Sequence, residues 1–319
     1  MRDMSLSFEA NLTDLDENAW FARLEEISDD LGYFQPLGDD HVATFLDAGT
    51  NLLVTFENAA DIRKEGTSQE PMGYKFTQTD GWSHLAIISR DLSWFRDQAI
   101  YRYFDRLIDD GFFEDFDNVL FYGVNAGGYA AAAYCAAAPG CNVLAIRPQA
   151  TLNPRITGWD TRHTAQRRLN FSDRFGYAPD MIDACNHAYI AFDPLNRFDS
   201  CHAGMFTKPN MTPLRCMGLG ATPEVGLTNL EILDDLVRSA MNQTLKTSTF
   251  STAFRRRRDS IPYLRGLFHR MMQTEHPKMA ANVCAYVLRK GDHPFFRKKL
   301  GALMNEGHMP STPLDIDAA

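Results

Sequence analysis

The stretch "VLFYGVNAGGYAAAA", residues 119–133, decides the fold. Its first half is apolar, β-branched and aromatic, the composition of a buried strand. Its second half is a run of small residues, suited to a helix lying close against that strand. Between them, Gly123-Val124-Asn125-Ala126-Gly127 has the spacing of a nucleophile elbow, the sharp strand-to-helix turn that lifts one side chain above the edge of a sheet. Asn125 occupies the raised position, where a serine, cysteine or aspartate would carry reactivity.

Outward from this turn the same rhythm repeats. "SHLAIISR" (83–90), "NVLFYGVN" (118–125), "NVLAIRPQ" (142–149), "HAYIAFDP" (187–194) and "PLRCMGLG" (213–220) read as strands. Helical segments at 93–110 and 126–138 lie between them, the second stopped by Pro139-Gly140. Short apolar strands alternating with helices predict an α/β fold with a mainly parallel sheet, helices on both faces, and a ligand crevice at the carboxyl ends of the strands. Upstream, Trp20, Leu24, Ile27 and Leu31 mark an amphipathic helix over 17–31 that ends at Gly32. "HVATFLDAG" (41–49) and "NLLVTFEN" (51–58) read as an antiparallel hairpin turned at Ala48-Gly49-Thr50.

After residue 224 the strand signals stop. Helical patterns follow at 225–245, 261–273 and 279–290, with a fourth at 295–305. The expected organisation is an α/β domain over 1–224 with an excursion, or lid, at about 150–186. A helical C-terminal portion over 225–306 and a polar tail over 307–319 complete it.

Bulk properties narrow the function classes. The 319 residues are 45% hydrophobic and 23% charged, with 32 Lys and Arg against 41 Asp and Glu, a net charge of −9. That balance argues against general nucleic-acid affinity. No apolar run is long enough to span a membrane, so no membrane partner is expected. The acidic N-terminus lacks the apolar segment of a secretory signal. Six cysteines (Cys135, Cys141, Cys185, Cys201, Cys216, Cys284) are scattered without a C-x-x-C pair, which suits reduced thiols and a cytoplasmic location, and points to no metal.

The order of elements over roughly 40–222 resembles the α/β-hydrolase fold: an antiparallel start, an elbow, a further strand, an excursion and two last strands. That resemblance implies a nucleophile on the elbow, an acid after a later strand and a histidine after the last strand. The glycines at 123, 127 and 128 meet the backbone requirement. The side chains do not. The amide of Asn125 has a delocalised lone pair that no neighbouring base can activate, and "GLGATPEVGL" (218–227) contains no histidine. Only the acid position is filled, by Asp193 or Asp199. Asparagine tolerates positive φ, so the turn can persist for its shape after losing its chemistry. The amides of Ala126, Gly127 and Gly128 would open a helix whose dipole favours negative charge.

The excursion carries Arg155, Arg162, Arg167, Arg168 and Arg174 with His163 inside twenty residues of an acidic protein. Arg147 and Arg90 end two strands. One reading is a solvated face in which Arg162 pairs with Asp160 and Arg174 with Asp173. The other is a guanidinium clamp over an anion at the elbow, using Arg155, Arg167 and Arg168. A second basic run, "FRRRRDS" (254–260), reads as a largely exposed loop or a docking surface for an acidic partner. "DPLNRFDSCHAGMF" (193–206) gathers Asp193, Asp199 and His202. These are candidate catalytic groups, or a structural hydrogen-bonded cap on the crevice.

The stretches at 94–123, 127–134, 148–155 and 167–182, with "AFDP" (191–194) and "HAGMF" (202–206), also resemble an uncharacterised alphaproteobacterial family. Some of its members carry the label phosphoadenosine phosphosulfate reductase. The residues argue against that activity, since no "SGGKDS"-like loop follows a first strand and no terminal cysteine motif is present.

Three functions remain open. The chain could bind an anionic small molecule at Asn125 to Gly128 without hydrolysing it. It could dock an acidic protein through its helical C-terminal portion. Or it could be an enzyme with relocated groups at Asp193, Asp199 and His202. No cofactor is implied by any of them.

Overall fold

In the computed structural model, residues 10–64 and 67–312 are described. Parts of the N-terminus and of the polar tail named above lie outside them. Eight strands form one sheet in the order β1-β2-β4-β3-β5-β6-β7-β8. They are β1 (Gly32–Leu37), β2 (His41–Leu46), β3 (Asn51–Asn58), β4 (Ser83–Ser89), β5 (Asn118–Val124), β6 (Asn142–Ile146), β7 (His187–Phe192) and β8 (Met211–Arg215). β2 pairs antiparallel with β1 and β4, and every other pairing is parallel.

The expected hairpin of β2 and β3 does not form. The two strands are consecutive in the chain, but β4 lies between them, antiparallel to β2 and parallel to β3. All seven residues of β4 are buried. A fully buried apolar strand gains most by taking neighbours on both sides, and that outweighs the short turn at Gly49. The partner of β2 on its other side is β1, "GYFQPL", whose glycine and proline masked its strand character. It is an edge strand, where a proline costs no ladder bond.

Alternation along β5 sends side chains to opposite faces. Phe121 joins a core with Phe56, Phe104, Tyr129 and Tyr134. Leu120 and Tyr122 join another with Leu53, Leu144, Tyr189, Leu236 and Val237. The helix Ala126–Tyr134 is buried along its whole length. Its five alanines and two glycines let it sit against β3, β5 and β6, where larger side chains would hold it off.

The helix expected from 93 begins only at Gln98, because Asp97 caps it by accepting the Ala99 amide at 2.7 Å. Trp94 and Phe95 before it both have φ near 55° and turn their rings into the core. Past residue 224, the segment from Leu227 to Phe254 packs on the sheet. Helices Ile261–Gln273, Pro277–Leu288 and Pro294–Asn305 form an apolar cluster of their own. The apolar cores thus divide near residue 260. The second and third of these helices start two residues and one residue before their apolar patterns, and the pattern expected over 225–245 is two helices, Pro223–Asn229 and Leu233–Met241.

No described helix is long and apolar enough to cross a membrane. Of the six cysteines, five are buried and Cys201 is exposed.

Candidate functional site at the strand-to-helix elbow

Asn125 leaves β5 with φ 53° and ψ −117° and starts the helix Ala126–Tyr134. Such a conformation costs on the order of 1–3 kcal/mol and persists only where the surroundings hold it. Here they do: the Asn125 amide donates to the Ile146 carbonyl at 3.0 Å, and its carbonyl accepts from Tyr129 at 2.9 Å. Two glycines make the turn sterically feasible. A Cβ on Gly127 would fall 2.1 Å from the Phe56 oxygen, and one on Gly123 would fall 2.1 Å from the Gly127 oxygen.

The antiparallel start, the elbow after β5, the next strand, the excursion and the two last strands are all in place. The fold is α/β-hydrolase-like. The chain matches no protein-family model and no curated protein. Among solved structures it is similar to an esterase from the hyperthermophilic archaeon Pyrobaculum calidifontis, at 14% identity and a TM-score of 0.41, covering 79% of this chain and 95% of that one. The capsule O-acetyltransferase of Neisseria meningitidis serogroup A matches at 12% identity and a TM-score of 0.39, covering 57% and 86%. Est1E from Butyrivibrio proteoclasticus matches at 13% identity and a TM-score of 0.40, covering 64% and 97%. The activities in those names belong to those proteins.

The side chain of Asn125 does not cap its helix. Its Oδ1 accepts instead from Nε of Arg147, whose Nη1 donates to the Ala221 carbonyl. Arg147 follows β6, has φ 53°, and is tied by its amide to the Ala191 carbonyl at 2.7 Å. One guanidinium therefore bridges the elbow and the loop after β8. Its place at a strand's carboxyl end was visible in the sequence, but its partner was not, because strand adjacency sets that contact.

The three arginines expected to clamp a ligand occupy different settings. Arg155 and Arg168 are exposed. Arg167 turns inward and donates to the carbonyls of Thr157, Gly158 and Asp160, bracing the excursion itself. Arg162 pairs with Asp160 as expected, at 2.8 Å. Arg174 pairs with Asp105 at 2.7 Å and not with Asp173, since the excursion folds back onto the helix Gln98–Asp109.

Asp193, at the acid position after β7, is fully buried. Its oxygens accept from the amides of Leu195 (2.9 Å), Gly218 (3.1 Å) and Gly220 (2.7 Å). The carboxylate thus holds the loop in which the resemblance places a histidine. Glu224 lies just beyond that loop. Burial raises its carboxyl pKa, the charge of Arg147 opposes the rise, and its Oε2 finds no hydrogen-bond partner among the described residues.

Asp199 and His202 do come together, through two residues of the excursion. His202 Nδ1 accepts from the Ala150 amide at 3.1 Å, so Nε2 carries the proton and donates to Asp160 at 2.9 Å. Arg162 joins Asp160 to Asp199, the latter at 2.5 Å. His202, Asp160 and Asp199 are all buried. Burial pushes the His202 imidazole down to about 4 despite the Asp160 carboxylate, so it is neutral near pH 7. Asp160 is held well below the usual carboxylate range by its hydrogen bonds from Arg162 and His202, against the effect of burial. The network pins the excursion to the helix Arg197–Ala203.

A second polar chain lies on the opposite face of the sheet. Glu57, opposite Ile88 of β4, accepts from Thr55 Oγ1 at 2.6 Å and from the Met72 amide at 3.0 Å. Thr55 Oγ1 also meets His84 Nε2 at 2.9 Å. Burial lifts the Glu57 carboxyl to about 7 and drops His84 to about 3. Alternating "NLLVTFEN" places Thr55 and Glu57 on one face, the only local signal that they act together.

Proposed function

We propose that this hydrolase-fold chain binds an anionic small molecule at the elbow and does not hydrolyse it. The observation that carries the reading is the Arg147 guanidinium seated on Asn125 at the mouth of the turn. A guanidinium has five N–H donors, and two of its acceptors here are Asn125 Oδ1 and the Ala221 carbonyl. The remaining donors, with the first amides of the helix at Ala126 to Gly128, suit a carboxylate, phosphate or sulfate group. Those amides have no intrahelical acceptor by the geometry of a helix start.

Hydrolysis lacks its parts at this turn. Asn125 supplies no nucleophile, Asp193 is spent on backbone amides, and His202 is turned to Asp160. The residues that would bind are Asn125, Ala126, Gly127, Gly128 and Arg147.

The test is calorimetric titration of inorganic phosphate, sulfate and acetate into wild type, Arg147→Met and Arg147→Lys. The expected result is saturable binding of at least one anion to wild type, weakened at least tenfold in Arg147→Met and partly restored in Arg147→Lys. Binding that is equal in all three proteins, or absent from wild type, would overturn the reading. Thermal melts of the three proteins show that each is folded.

A further inference from the structure

A second concave feature lies on another part of the surface, where edge strand β8 meets the helix Thr247–Ala253 and the turn Phe254–Arg258. This groove of about 440 Å³ is lined by Arg215, Arg255, Arg257 and Arg258, by the hydroxyl residues Thr247 and Ser251, and by Phe250 and Phe254 among others, with no acidic residue. From this we infer that the groove is a binding site for a small molecule bearing two or more linked phosphates, separate from the elbow.

Charge makes the first argument. In a chain of net charge −9, four guanidiniums around one groove repel each other unless a counter-charge is supplied. None of the four forms an ion pair among the described residues. The nearest acid in sequence, Asp259, is taken by Lys290. A single phosphate carries too little charge to answer four arginines, whereas a diphosphate or triphosphate carries three or four negative charges near pH 7.

Organisation makes the second. Arg257 donates to the Phe254 carbonyl at 2.7 Å and lies 4.3 Å over the Phe254 ring, so its guanidinium is placed before any ligand arrives. The Phe254 ring stacks on Phe250 at 5.4 Å and 11°, and both rings are buried, giving the groove a firm apolar base. Arg215 ends β8, and Arg255 and Arg258 are exposed at the rim. The size matches small-molecule pockets, which run from about 300 to 1,000 Å³. A groove this compact fits an oligophosphate better than a long acidic segment of a protein.

The test is calorimetric titration of tripolyphosphate, pyrophosphate and orthophosphate into the full chain, beside a short polyglutamate peptide. All titrations use Arg147→Met, which weakens the elbow's own anion site, and compare it with the double variant Arg255→Ala/Arg258→Ala made in that background. Both rim arginines are exposed, so the double variant keeps its fold, which a thermal melt verifies. The expected result is one saturable site for tripolyphosphate, at least tenfold tighter than orthophosphate. It is weakened at least tenfold by the double variant. Binding of equal strength with and without the two rim substitutions, or none in Arg147→Met itself, would overturn a separate site. Polyglutamate binding more tightly than tripolyphosphate would overturn the ligand class in favour of an acidic protein partner.

Discussion

Asp193 accepts the backbone amide of Gly220 at 2.7 Å, joining the end of β7 to the loop that follows β8. The same carboxylate takes the Gly218 amide, and one residue past Gly220 the Ala221 carbonyl receives Arg147. The loop is thus held at both ends, by an anion on one side and a cation on the other. An acid position that resembles a catalytic one serves here as a bracket for backbone.

Replacing Asp193 by Ala leaves these half-buried amides without their acceptor, and an unmade hydrogen bond in a buried setting costs about 1–3 kcal/mol per group. Asp193→Ala is expected to lower stability by about 3 kcal/mol in urea unfolding, and Asp193→Asn by less, since its remaining oxygen can still accept. A loss below about 1 kcal/mol in Asp193→Ala would show that the loop is held elsewhere.

Asn125→Ser restores a hydroxyl to the elbow but not a base. Nothing in the loop Gly218–Glu224 supplies an imidazole, and His202 is directed at Asp160. The variant is expected to fold, with some added strain because serine tolerates positive φ less well than asparagine. It is expected to hydrolyse p-nitrophenyl acetate no faster than wild type. A hundredfold gain in turnover would reveal a base that the hydrogen-bond pattern hides.

Burial shifts Glu57 and His202 in ways that set opposite pH trends. The native state holds a proton on Glu57 up to about pH 7, whereas the unfolded chain releases it near 4.5. Its contribution is therefore present below pH 4.5 and is lost as pH rises towards 7. The native state keeps His202 neutral down to about pH 4, whereas the unfolded chain takes up a proton near 6.5, so stability falls as pH drops from 6.5 towards 4. His84 acts in the same direction down to about 3. In urea midpoints measured from pH 4.5 to 8, Glu57→Gln is expected to gain on wild type as pH rises to 7. His202→Gln is expected to be less stable than wild type throughout, with the gap narrowing as pH falls. Curves that run parallel to wild type for both variants would show that neither group titrates as described.

The parallel strands, the elbow and the C-terminal helices were legible because each rests on local signals: apolar runs of strand length, glycines at 123 and 127, and apolar residues three and four apart. Asn125 at positive φ followed from the same stretch. Strand order did not. β4 entered between β2 and β3 because pairing depends on which buried strand finds two partners, and residues 41–58 carry no record of that. The arginines divide the same way. Their density in 155–174 and 255–258 is a fact of composition, but Arg147 reaches Asn125 only because β5 and β6 are neighbours, and Arg167 turns inward only because the excursion coils around its own carbonyls. Residue type and spacing determine what a segment can form by itself. Contacts between segments far apart in the chain are chosen by the packing of the whole, which is where the charges of this protein acquired their partners.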